Sequence, residues 1–164
     1  MKHRRAAGYA LAALVLAADQ GAKAWVMGNA ALTSGQTLVV LPVLNFVLVG
    51  NHGITFGLLS GVASKTLLVV AALAVVAVLG IWLWRSANWA EALAIGAIAG
   101  GALGNIADRL HYSAVVDFLQ MHIGGLFFPW VFNLGDAAID CGVAALFLDY
   151  VFRHPPVAAS RGER

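Results

Sequence analysis

Two short stretches of this sequence carry the residues best suited to chemistry, 115-VVDFL-119 and 132-FNLGDAAID-140. Each sets an aspartate, Asp117 or Asp136, among apolar neighbours. Two carboxyls forced together in a low-dielectric site cannot both ionise, so they share a proton. The pair then offers one base to take a proton from water and one acid to give a proton to a carbonyl or a leaving amine. That is the chemistry of aspartic proteolysis. Each residue also has a plainer use. Asp117 fits a turn or a cap, while Asn133 fits the N-cap of a helix with Asp136 at its N3 position, complementing the helix dipole. Only the combination favours catalysis.

Other chemistries are poorly supplied. There is no HExxH and no cysteine cluster to hold zinc. Of the five histidines, His3 and His154 lie near the ends, and His52, His111 and His122 are scattered. Ser60, Ser64 and Ser113 lack a nucleophile-elbow context. The single cysteine, Cys141, sits in an apolar run, which excludes an internal disulfide and reads as helix filling. No metal or organic cofactor is expected.

The elements that must position these residues belong to a membrane. The 164 residues are 61% hydrophobic and only 11% charged, far from the balance of a soluble domain. A net charge of +2 says little about partners, and nothing suggests nucleic acid. One integral domain, 1–164, is expected. A span needs about 20 mostly apolar residues, and four stretches qualify: about 7–28, 65–84, 89–108 and 136–152. Ser64 is the candidate N-cap of the second. The basic, then apolar N-terminus resembles a secretory signal, but its apolar run continues to Trp25 and Val26 without a clean A-x-A site, so it reads as a retained first helix. With both termini inside, Lys2, Arg4, Arg5, Arg85, Arg153, Arg161 and Arg164 become cytoplasmic, and Lys65 and Arg109 fall outside. Trp82, Trp84 and Trp89 then mark the inner interface, and Trp25 and Trp130 the outer one.

Two segments face outward on this plan, about 29–64 and 109–135. The first is rich in Val, Leu and Phe and reads as short strands broken at Pro42 and turning at Gly50–Gly53. The second, apolar but interrupted by Gly124, Gly125 and Pro129, is expected to lie as a loop or helix on the membrane surface. The tail 153–164 is expected to be cytoplasmic and disordered.

A carboxylate near the bilayer centre costs roughly 2.5–3.5 kcal/mol even on the lenient insertion scale, so the polar residues of the spans need accounting. Asp19 and Lys23 stand at i,i+4 in the favourable order and read as a self-neutralising pair. Gly96, Gly100 and Gly104 form a small-residue face for close helix packing, and Asn105 and Arg109 extend that stripe outward, toward a neighbouring helix. Asp149 pairs with Arg153 at i+4. Asp140, one turn below Asp136, is expected to be protonated or paired on the same face. An ion relay through Asp19, Lys23, Asp108, Arg109, Asp136 and Asp140 is the alternative reading, but a relay needs groups at both faces and between them. An accessory structural subunit would leave the asparagines and Arg109 unexplained.

Together the ordered blocks DQGAK (19–23), NHGITFG (51–57), GGALGNIADR (100–109), VVDF (115–118) and FNLGDAAI (132–139) resemble the bacterial lipoprotein signal peptidases, or type II signal peptidases. The resemblance spans nearly the whole chain. It implies four transmembrane helices with a small outward β-rich cradle at about 29–62, a site near the outer face of the bacterial inner membrane, and a monomer surrounded by membrane lipid. It implies a catalytic dyad of Asp117 and Asp136 that activates water. The bond cut lies before a cysteine bearing a diacylglyceryl group, in a lipid-modified prolipoprotein. Asp19, Lys23, Asn51, Gly53, Asn105, Arg109 and Asn133 match polar or turn positions that support the dyad and bind substrate. Two departures are visible: Gly135 stands where the family commonly has Ala, and so does Thr55.

Overall fold

The computed structural model describes residues 2–52 and 62–153, with backbone alone for 62–64. Gly53, Thr55, Ser60, His154 and the tail beyond Arg153 lie outside the described residues. Five helices and four strands follow one another as α1 (Lys2–Gly28), α2 (Ala30–Thr33), β1 (Leu38–Leu41), β2 (Leu44–Asn51), α3 (Val62–Arg85), α4 (Trp89–Tyr112), β3 (Val115–Ile123), β4 (Leu126–Phe132) and α5 (Leu134–Arg153).

Three of these helices are long and apolar enough to cross a membrane: α1, the Lys65–Arg85 part of α3, and α4. At 1.5 Å per residue, the 27 residues of α1 extend about 40 Å, more than the hydrocarbon core of a bilayer. The helix begins at Lys2, earlier than expected, so its basic residues belong to its first turns. Similarly, α3 begins at Val62, ahead of Ser64, which therefore lies inside the helix and not at its N-cap. Helix α5 is not among them: its 20 residues carry Asp136, Asp140, Asp149 and Arg153.

The central helix is α4, which packs against α1, α3 and α5. Its glycines make this possible. A Cβ on Gly96 would run into the backbone of Gly8, and one on Gly101 into the carbonyl of Gly135. Backbones approach at these points because neither side presents a side chain, the arrangement that favours helix association in lipid. Around the contact between α1, α3 and α4, Ala12, Leu79, Leu83, Ala92, Ile95, Ile98 and Ala99 form a buried cluster.

Every connection to the sheet leaves from one end of this bundle: the C-terminal ends of α1 and α4 and the N-terminal ends of α3 and α5. The sheet is antiparallel throughout, in the order β1-β2-β3-β4. As expected, Pro42 lies in the turn between β1 and β2. Gly50 lies inside β2 and is no turn residue. The expected surface loop or helix at 109–135 is instead the end of α4 followed by the β3–β4 hairpin. The β-branched and aromatic content of VVDFLQMHI and LFFPWVF fits strand pairing, and Gly124 takes the positive φ of 59° that the hairpin turn needs. Strand β3 is central because Val115–Leu119 is buried against the helices. A second core of Val26, Leu32, Phe118 and Leu119 joins the sheet to α1 and α2. Trp25, Phe46 and Phe118 lock it by successive edge-on ring contacts at 5.9 and 5.6 Å.

The glycine contacts yield a paired prediction. Gly101→Ala forces a methyl into the Gly135 carbonyl and should destabilise the protein by about 1–3 kcal/mol. Gly80→Ala, where a Cβ meets nothing within 4 Å, should be neutral or mildly stabilising. Thermal unfolding in detergent measures both.

Candidate active site

The site forms where the start of α5, the start of β3 and the C-terminal turns of α1 and α4 meet. Asn133 caps α5 as expected: its Oδ1 accepts from the Asp136 amide at 2.9 Å, while Asp136 Oδ2 accepts from the Asn133 amide at 3.3 Å. This reciprocal arrangement is a capping box, which satisfies donors that a helix start leaves without partners. The same asparagine reaches further. Its Nδ2 donates to Asp117 Oδ1 at 2.7 Å and to Asn105 Oδ1 at 3.2 Å. One residue thus touches both aspartates.

Asp117 is buried at the centre of the sheet, 1% exposed, opposite Val49 of β2. Two residues along β2, Asn51 reaches diagonally across and donates its Nδ2 to Asp117 Oδ2 at 2.9 Å. Burial pushes the Asp117 carboxyl above the ordinary carboxylate range. The hydrogen bonds from Asn51 and Asn133 pull the other way, Asp136 adds to the rise, and Lys23 opposes it. Asp136 is half-buried and accepts from Asn105 Nδ2 at 2.8 Å through Oδ1.

Beneath the pair lies a buried ion cluster. The expected Asp19–Lys23 pair is present at 2.7 Å, but it is not self-contained. Lys23 Nζ lies equally close, 2.7 Å, to Asp108 Oδ2 and donates to Asn105 Oδ1 at 3.1 Å. All three ammonium donors are therefore used, in a place where Asp19, Lys23 and Asp108 are each at most 1% exposed. The two carboxylates then grip backbone. Asp108 Oδ2 accepts from the Val116 amide at 3.0 Å, and Asp19 Oδ1 from the Gly135 amide at 2.8 Å. Val116 and Gly135 immediately precede Asp117 and Asp136. Each catalytic candidate is thus held through the residue before it.

Glycine again makes room. A Cβ on Gly104 would occupy the Asp19 carboxylate, and one on Gly135 would come within 3.0 Å of Asn133 Oδ1 and 3.3 Å of Asp19 Oδ1. Gln20 completes the cluster by donating Nε2 to Asp108 Oδ1 at 2.9 Å and to the Gly104 carbonyl at 3.2 Å.

Of the residues singled out in sequence, Asp19, Lys23, Asn51, Asn105, Asn133, Asp117 and Asp136 come together here. Arg109 stands apart: its Nη1 donates at 3.3 Å to the Asn105 carbonyl of its own helix, and among the described residues it pairs with no carboxylate. Asp140 is exposed on α5, neither buried nor paired among the described residues, and Cys141 beside it is exposed as well. Asp149 does pair with Arg153, at 2.8 Å, and also accepts from Asn88 at 3.1 Å. The structural weight of Asp108 and Gln20 went unassigned in sequence. The signal for Asp108 was its place three residues after Asn105, on the same helical face; for Gln20 it was only adjacency to Asp19. Among the described residues, no three of His, Cys, Asp and Glu are placed to hold a metal ion.

The family model described as "Signal peptidase (SPase) II" matches residues 11–152. The chain is 42% identical over 151 residues to a lipoprotein signal peptidase of Methylocella silvestris, covering 90% of this chain and 87% of the relative. It is 39% identical over 143 residues to one of Caulobacter vibrioides, covering 86% and 84%. A solved bacterial membrane enzyme superposes with a TM-score of 0.77 at 25% identity, over 96% of this chain and 94% of that one. A second gives 0.78 at 27%, over 88% and 92%.

Removing the lysine would leave two buried carboxylates uncompensated. Lys23→Met should therefore cost about 3–5 kcal/mol of stability, whereas Arg153→Gln at the exposed pair should cost no more than about 1 kcal/mol. Detergent unfolding curves of the two variants separate the cases.

Proposed function

The chain belongs to the signal peptidase II family, and on that premise we propose that it removes signal peptides from diacylglyceryl-modified prolipoproteins with Asp117 and Asp136 as its catalytic pair. The observation that carries this reading is Asn133, which hydrogen-bonds both carboxyls and so holds two acids side by side in a largely dry site.

The raised Asp117 carboxyl keeps the shared proton, and Asp136, open on one side, acts as the base. Asp136 takes a proton from water as the water oxygen attacks the carbonyl preceding the lipid-modified cysteine. Asp117 gives its proton to the carbonyl oxygen, forming a neutral tetrahedral diol. Collapse of that diol breaks the carbon–nitrogen bond. The proton on Asp136 passes to the leaving amine, and one from the diol returns to Asp117. Acid and base both come from the dyad, so the cycle closes without a further group.

The substrate carries two acyl chains, so it gains nothing by leaving the bilayer and reaches the dyad sideways. Basic residues support a bacterial inner-membrane protein with both termini cytoplasmic. Lys2, Arg4, Arg5, Arg85 and Arg153 belong to the end of the bundle remote from the sheet, and the dyad to the opposite, outer end. On this plan α5 is the fourth span, and its polar start lies at the outer rim, where charge costs less.

Asp117→Asn and Asp136→Asn should each lower cleavage of a diacylglyceryl-modified prolipoprotein by at least about a hundredfold while leaving the protein folded. A gel-shift assay reads the loss; full activity in either variant would remove that residue from the dyad. The pH profile tests the roles. Asp117 acts as the acid only while protonated, so on the alkaline side of the profile activity falls as pH rises through its pKa. Asn51→Ala deletes a donor that favours the ionised form, so the alkaline limb of kcat/KM should shift to higher pH. A limb that stays put or moves down would rule out Asp117 as the acid.

A further inference from the structure

The sheet has a second end, remote from the aspartates, whose composition the catalytic reading does not use. Leu44 of β2 pairs with Met121 of β3, and the His122 amide donates to the Val43 carbonyl at 3.0 Å. The β1–β2 and β3–β4 turns therefore lie together. Around them Leu41, Val43, Ile123, Leu126, Phe128 and Trp130 are all exposed, Leu126 at 79% and Ile123 and Trp130 at 71%. No Asp, Glu, Lys or Arg occurs in 24–64 or in 118–135, the stretches that build this end of the sheet.

We propose that these two turns are inserted into the lipid leaflet on the sheet side of the membrane. The exposure pattern of β4 carries the choice of occupant. A strand with one face on protein and the other in water alternates between buried and exposed, but all five residues from Leu126 to Trp130 are exposed, on both faces. A protein partner or second copy docked on one face would leave the other bare. A lipid surface covers both. The patch also continues a surface already in lipid: Trp25, exposed on the spanning helix α1, stacks edge-on against Phe46 of the sheet.

Depth is limited by the edges. Strands β1 and β4 are outermost and present backbone groups that hydrocarbon cannot satisfy. The turns therefore sit at headgroup and upper-chain level, where an amphipathic Trp130 ring is at home. Pro129 removes one donor from the β4 edge. Ile123 is six residues along β3 from Asp117, about 20 Å at strand rise, so anchoring it sets the height of the carboxyl relative to the bilayer.

The test uses single cysteines, Leu126→Cys, Ile123→Cys and Gln36→Cys, in a Cys141→Ser background. Each carries an environment-sensitive fluorophore, with one chain per nanodisc of phosphatidylethanolamine and phosphatidylglycerol. Unchanged thermal unfolding confirms the fold. Positions 126 and 123 should be quenched by nitroxide-bearing lipids, and aqueous iodide should quench them about fivefold less than position 36, in the polar stretch before β1. Iodide quenching equal to that at position 36 would overturn the proposal. So would shielding that appears only with two chains per disc, or only on adding prolipoprotein, because either would assign the surface to a protein.

Discussion

An ammonium group buried between two carboxylates, Lys23 between Asp19 and Asp108, is the constraint on which the rest of the site depends. Stripping water from such ions costs several kcal/mol each, and the cost is met only when every donor and acceptor finds a partner. Lys23 uses all three of its protons, and the carboxylates also accept from the amides of Val116 and Gly135 and from the Gln20 side chain. Electrostatic satisfaction of the cluster therefore fixes backbone at two distant points of the chain. Those points are the residues before Asp117 and Asp136. The third Lys23 contact, to Asn105 Oδ1, leaves the Asn105 amino group to face Asp136.

Such a cluster can form only if the helices come very close. Gly96 against Gly8, Gly101 against Gly135, and Gly104 beside the Asp19 carboxylate provide that closeness. The link from sequence to chemistry thus runs through residues with no side chain at all. Gly135 shows it well. A methyl there would meet Asn133 Oδ1 at 3.0 Å and Asp19 Oδ1 at 3.3 Å, so an alanine in this chain would need those neighbours to give by a few tenths of an ångström.

Much of this was legible in the sequence, because helices in lipid announce themselves by apolar length and helix starts by their caps. The Asn133–Asp136 cap was readable, but capping alone could not reveal the site. Asn88 and Glu91 begin α4 with a similar device, Asn88 Oδ1 accepting from the Glu91 amide at 2.9 Å, far from any chemistry. The Asp19–Lys23 pair was readable at i,i+4, whereas its third member, Asp108, is a long-range partner that local spacing cannot announce. The β3–β4 hairpin was missed for a related reason. Its apolar run fits a surface-lying segment as well as a strand, and pairing with β2, 66 residues away for Asn51 and Asp117, decides the matter. Asp140 was expected to be protonated or paired one turn below Asp136, but it is exposed and pairs with nothing among the described residues.

The central claim is that Asp117 and Asp136 are held as an interacting pair. Carbon-13 NMR of aspartate-labelled protein in nanodiscs tests it most directly, by following the Asp117 carboxyl through a pH titration in wild type and in Asp136→Asn. In wild type its midpoint should lie above the ordinary carboxylate range. In the variant it should fall, because the neighbouring negative charge that helps raise it is gone. A midpoint in the ordinary range, unmoved by the substitution, would show two independent acids and contradict the account.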